Sequence, residues 1–116
     1  MPSSTSYKFG DIVLVPFPFT DQTQSKRRPA IVVSSDAYER ARQDLILISL
    51  TTRVSPEARF GVAPLQQRKQ AGLPVACFIK PVLFTFEKRL VIKRLGRLQE
   101  EDRSRVRAAL DQILGA

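Results

Sequence analysis

The chain has 116 residues, 43% of them hydrophobic and 26% charged, the balance of one ordinary globular domain with a small core. Nineteen Lys and Arg against eleven Asp and Glu leave a net charge of +8, which suits a polyanionic partner. Histidine is absent and Cys77 is the sole cysteine, which excludes a Ser-His-Asp triad, a zinc site and an internal disulfide.

The start, "MPSSTS", is polar, and residues 1–6 are expected to be disordered. It lacks the apolar region of a signal peptide, and no run approaches a membrane span. With the lone cysteine, this predicts a soluble, cytoplasmic protein. "GDIVLVPF" then begins at Gly10 with apolar residues in both parities, a strand covered on both sides. Pro16 to Pro29 holds three prolines among polar residues and reads as a long, partly extended loop.

"AIVVSS" (Ala30–Ser35) and "LILISLTT" (Leu45–Thr52) are β-branched runs and predict strands. The segment between them suits a turn of helix capped by Ser35 or Asp36. "FGVAPL" (Phe60–Leu65) and "VACFIK" (Val75–Lys80) are further predicted strands. In "KRLVIKRLG" (Lys88–Gly96), Leu90 and Ile92 alternate with Arg89, Val91 and Lys93, a strand with one wet face. Val106, Ala109, Leu110, Ile113 and Leu114 recur at helical spacing. Glu100, Glu101 and Asp102 suit the first turn of that helix, and Gly115 its C′ stop. The expected fold is mostly β with a C-terminal helix: one domain, residues 1–116, forming a small antiparallel barrel. So small a core also favours a dimer.

Lys26, Arg27 and Arg28 run into Pro29. Exposed basic loops are common and usually inert. Arg28 differs, because the following proline fixes extended backbone there and positions its guanidinium as a bidentate phosphate donor. "SLTTR" (Ser49–Arg53) ends the next strand with hydroxyls and a second guanidinium, and an adjacent strand would set it beside Arg28. Threonine is frequent at strand ends by propensity alone, so its value lies in that pairing. Phe17 and Phe19 are candidates to stack bases, against a burial role that aromatic residues more often fill. Phe84 and Phe86 read as core or dimer contacts, and Cys77 as buried packing without an activating partner.

"GDIVLVPFPFTDQTQSKRRPAIVVSSDAY", "LILISLTTR" and "RLGRLQEEDRSRVRAALDQILG" together resemble MazF/PemK-type toxins, over nearly the whole chain from Tyr7 to Gly115. The resemblance implies an SH3-like barrel of the MazF/PemK/CcdB kind, usually a homodimer. It implies a ribosome-independent, metal-independent and cofactor-free endoribonuclease that cuts single-stranded mRNA or rRNA at short sequences. It implies an acidic antitoxin as partner, with operator DNA reached only through that antitoxin. The family's catalytic Arg lands on Arg28 and its catalytic Thr or Ser on Thr51, with Thr52 one register away. Asp11 matches the N-terminal turn and is expected to hold it. Many members carry an acidic-Gln-x-Arg motif where this chain has "CFIKPVLFTFEKR", so Lys80 stands in the place of the acid and Leu83 in that of the Arg. Lys80, Arg53 and Glu87, in that order, are the candidate substitutes, although Glu87 reads more simply as an exposed turn residue.

The implied reaction is attack of a ribose 2′-OH on the adjacent phosphate, leaving a 2′,3′-cyclic phosphate or 3′-phosphate and a 5′-OH. Arg28 and Thr51 would hold the charge that builds on the phosphorane oxygens. Lys26 and Arg27 would attract the RNA. A guanidinium is a poor base, and Asp21 is the candidate for that role. Two alternatives stand beside this reading: a toxin of the same fold that binds a protein such as gyrase, and a non-catalytic nucleic-acid-binding barrel.

Overall fold

A computed structural model describes residues 6–17, 26–52 and 62–115. Among them are six strands, β1 (Asp11–Phe17), β2 (Lys26–Val32), β3 (Asp44–Thr51), β4 (Ala63–Pro64), β5 (Phe78–Glu87) and β6 (Lys93–Arg97). Helix α1 (Asp36–Ala41) joins β2 to β3, and α2 (Glu100–Ile113) follows β6. The strands form one curled antiparallel sheet in the order β4-β5-β3-β2-β1-β6. The mostly-β fold with a C-terminal helix is as expected, and the barrel is a half-barrel in its hydrogen bonding.

Alternating side chains bury both faces, as the two-sided apolar pattern of β1 requires. The inner face gathers Ile12, Ile31, Ile48, Leu50 and Ile79 against Val106 and Ala109 of α2. The outer face gathers Val13, Val15, Ala30, Val32, Leu45 and Leu47. Cys77 is 3% exposed in the inner cluster, and burial pushes its thiol up from the ordinary value. Phe84 and Phe86 pack on the outer cluster, in keeping with a core role.

The segment between β4 and β5 crosses to the opposite edge of the sheet. A side chain on Gly96 would overlap the Ala71 carbonyl, and one on Gly72 the Leu95 carbonyl. Backbone therefore packs on backbone there, and Gly72 adopts φ +85, a value side-chain-bearing residues rarely take. Asp102, fully buried, pins the same segment by accepting the N–H groups of Gln66 (2.9 Å) and Gln67 (2.7 Å), while Arg105 donates to it at 3.0 Å. Its place in the first turn of α2 suits the helix dipole, but its contacts are tertiary.

Several boundaries differ from the sequence reading. Lys26–Pro29 is strand, because it pairs with Phe17–Leu14 of β1, register for register. Val75–Cys77 is not strand; β5 starts at Phe78 and runs to Glu87. Lys88–Leu90 is a 3-10 turn, which reverses the expected facing. Val91 packs on the outer cluster, while Leu90 and Ile92 are exposed. Of Phe60–Leu65, the strand portion in the described residues is Ala63–Pro64. Ser35 caps α1, its Oγ accepting the Tyr38 N–H at 3.1 Å. Leu114 is half exposed rather than part of the buried stripe, and Gly115 lacks the positive φ of a left-handed stop. The expected disorder of residues 1–6 falls, apart from Ser6, outside the described residues.

Candidate active site

Pro29 and Pro81 shape the ground on either side of β3. The β2–β3 ladder runs Val32–Leu47, Ile31–Ile48, Ala30–Ser49 and stops, next to the residue that has no N–H to give. From there β2 stays paired with β1, and β3 with β5. The two strands part where Arg28 and Thr51 stand, each two residues beyond the last pair. On the other flank, Ile48 pairs with Leu83 and Leu50 with Ile79, so Ser49 faces a bulge that carries Lys80, Pro81 and Val82.

Residues two apart on a strand share a face. Arg28 thus shares the outer face with Ala30, and Thr51 with Leu47 and Ser49. Lys80 follows the inward Ile79, is exposed and opens the bulge opposite Ser49. Arg28 and Lys80 stand on the two strands that flank β3, with Ser49 and Thr51 on the strand between them.

Among the described residues the local charge is uncompensated. Lys26, Arg27, Arg28 and Lys80 are exposed, and none meets a carboxylate among the described residues. Several acids of the fold are engaged elsewhere. Asp11 binds Arg94 and Arg97, Glu39 binds Lys88, Asp44 binds Arg42, and Asp102 binds Arg105. Among the described residues no three His, Cys, Asp or Glu side chains cluster as metal ligands would.

The other expectations sort as follows. Thr52 is exposed just past the end of β3, and Arg27 alternates to the opposite face from Arg28. Phe17 pairs with Lys26 in the β1–β2 ladder. Phe19, Asp21 and Arg53 lie outside the described residues. Glu87 ends β5 opposite Asp44, at the far end of β3 from Thr51, so it does not replace the missing acid. Leu83, in the place of the motif's Arg, packs on the inner cluster. Asp11 holds the N-terminal turn as expected, accepting the Lys8 N–H at 2.9 Å. The bulge at Pro81 was missed by the sequence reading; a proline inside a β-branched and aromatic run was its signal.

The model of the family described as PemK-like, MazF-like toxins of type II toxin–antitoxin systems matches residues 8–114. The chain belongs to this family. Its fold is similar to that of an endoribonuclease held by its cognate antitoxin, from a mycobacterial species, with a TM-score of 0.77, 17% identity and coverage of 95% of this chain and 96% of that one. It is also similar to MazF from Deinococcus radiodurans (TM-score 0.73, 23% identity, 97% and 99% covered) and to the MazE–MazF complex from that organism (0.73, 21%, 96% and 98%). At these identities the likeness carries the PemK/MazF fold. No curated protein matches the chain in sequence.

Proposed function

We propose that this PemK/MazF-family toxin is an endoribonuclease that cleaves single-stranded mRNA or rRNA without ribosome or metal, and so inhibits translation and growth. The observation that carries the reading is a pair of exposed cations, Arg28 on β2 and Lys80 on β5, on the strands either side of Thr51 and without a carboxylate partner among the described residues. A phosphodiester seated there meets a guanidinium on one side, an ammonium on the other and a hydroxyl between.

In the proposed reaction the 2′-oxygen attacks the adjacent phosphorus and the bond to the 5′-oxygen breaks. The products are a 2′,3′-cyclic phosphate and a 5′-OH end. The phosphorane oxygens gain negative charge, which Arg28 holds by paired N–H donors and Thr51 by its hydroxyl. Lys80 supplies a point charge in the place where relatives of the motif-bearing kind have an acid. In-line seating of the phosphate carries much of the rate. Lys26 and Arg27 add long-range attraction for the RNA. The same cations suit an acidic antitoxin, which would neutralise the site by covering it, and a homodimer would enlarge the small core.

The test is purified protein with EDTA on a long single-stranded RNA, beside Arg28→Ala. Cuts bearing 5′-OH ends are expected, with a loss of about 10²–10³-fold in the variant, the usual effect of removing one transition-state donor. The loss of the motif's Arg, with partly buried Leu83 packed on the inner cluster in its place, leaves room for a second reading, a non-nuclease toxin that binds a protein. Growth arrest with intact RNA would establish it.

A further inference from the structure

Among the described residues, Phe78 is a phenylalanine without a place in either core cluster. Phe84 and Phe86 pack on the outer cluster and Phe9 on the inner one. Phe78 is half-buried, yet it belongs to neither cluster and packs against neither. A phenylalanine on a sheet face ordinarily contributes by burial. This one sits in register instead: it is the direct ladder partner of Thr51 on one side and of exposed Pro64 on the other. Ladder partners share a face, so Pro64, Phe78 and Thr51 form a row across β4, β5 and β3, and Arg28 stands level with it on β2.

We infer that Phe78 is a stacking platform for one unpaired base of the RNA, next to the phosphate held between Arg28 and Thr51. The inference rests on the endoribonuclease reading of that phosphate site. Strand spacing puts Phe78 about 5 Å from Thr51, its ladder partner, with Arg28 on the strand beyond. Single-stranded nucleic acids are held by this combination, a cation for the backbone and an aromatic face for the base. Pro64 pairs with Phe78 on its far side, and the row ends there because β4 is the sheet edge. Stacking accepts any base with a π-face, so Phe78 supplies affinity and register and favours purines over pyrimidines by contact area.

The experiment maps the cleavage site on a long RNA, then uses short RNAs spanning it with 2′-deoxy at the scissile nucleotide, so that binding is read without cutting. Binding is measured by fluorescence anisotropy for wild type, Phe78→Leu and Phe78→Trp, on intact RNA and on RNAs with a single abasic position on either side of the scissile phosphate. Expected is binding about 5- to 100-fold weaker for Phe78→Leu, the range for loss of one base–aromatic stack, with recovery in Phe78→Trp. One abasic RNA should bind wild type and Phe78→Leu equally. A Phe78→Leu deficit that persists on both abasic RNAs would assign the residue a structural role and overturn the inference, as would unchanged binding on intact RNA. Cleavage by wild type and its loss in Arg28→Ala report on the nuclease reading separately. Wild type that neither cuts nor binds RNA overturns both.

Discussion

Asp44 and Glu87 are direct partners at the last pair of the β3–β5 ladder, two carboxylates facing each other across antiparallel strands. Like charges so placed repel, and each is met by its own guanidinium, Arg42 Nε at 3.1 Å from Asp44 and Arg89 Nε at 3.2 Å from Glu87. Tyr38 adds a hydroxyl donor to Asp44 at 2.9 Å. Burial pushes the Asp44 carboxyl up, but the Tyr38 hydroxyl and Arg42 outweigh it and hold the group below its ordinary value. The same hydrogen bond raises the Tyr38 hydroxyl.

The sign of the pH effect follows from that lowering. A carboxylate with a depressed folded-state pKa stabilises the fold above its unfolded value, near pH 4, and loses that contribution as pH falls through the folded value. Tyr38→Phe and Arg42→Gln should therefore lower the melting temperature at pH 7, by an amount that shrinks as pH drops below about 4. Thermal unfolding across pH 3 to 7 checks this. An equal deficit at both ends would mean that the two residues act by packing alone.

Asp11 is the second charged anchor, and a more demanding one. Its carboxylate is fully buried and accepts from the Lys8 N–H, Arg97 Nε (2.7 Å) and Arg94 Nη1 (3.3 Å). Removing the acid takes the partner from the Lys8 N–H and leaves two guanidinia without their shared carboxylate. Breaking a buried pair costs about 3–5 kcal/mol, and because both arginines are about half exposed the lower end applies to Asp11→Ala. Arg94→Ala should cost much less, since Arg97 keeps the closer contact. Urea unfolding of the two variants measures the difference, and equal losses would count against the assignment.

The sequence displayed the elements whose signals are local. The α2 periodicity, the Ser35 cap and the two-sided pattern of β1 all depend on residues within one turn or strand. The charge at Arg28 and the hydroxyl at Thr51 were legible for the same reason, through Pro29 and the strand end. What was hidden depends on partners distant in the chain. Lys26–Pro29 reads as loop by composition and becomes strand because β1 offers it a full ladder. Asp102 reads as a helix-dipole acid, and its work is done on Gln66 and Gln67, 36 and 35 residues away. Phe78 looked like any strand phenylalanine until its register showed Thr51 on one side and, among the described residues, neither core cluster against it.

Backbone packing between the β4–β5 segment and β6 makes Gly96 the least replaceable residue of its strand. An alanine there drives its methyl into the Ala71 carbonyl and α-carbon, which belong to backbone and have no rotamer to yield. Gly96→Ala should destabilise by about 3 kcal/mol or more, the upper range for overpacking. Gly115→Ala, with open space around it, should be neutral. Comparing the denaturant midpoints of both variants with wild type tests the contact, and a stable Gly96→Ala would show that the segment can lift away from β6.

Lys80 is the residue whose role the altered motif leaves most sharply posed. If it contacts a phosphate, it releases one counterion on binding, and the slope of log affinity against log salt should fall in magnitude by about 0.7 in Lys80→Gln, the single-strand value per phosphate. Lys69, equally exposed but in the turn that packs on β6, provides the control: Lys69→Gln should leave the slope unchanged. The measurement is anisotropy titration of a non-cleavable RNA between 50 and 200 mM salt. Because Lys80 sits in a bulge with no carboxylate partner among the described residues, its removal should leave the melting temperature alone, which separates a binding effect from a folding one. A wild-type slope in Lys80→Gln would place the phosphate track elsewhere, along Lys26 and Arg28 only.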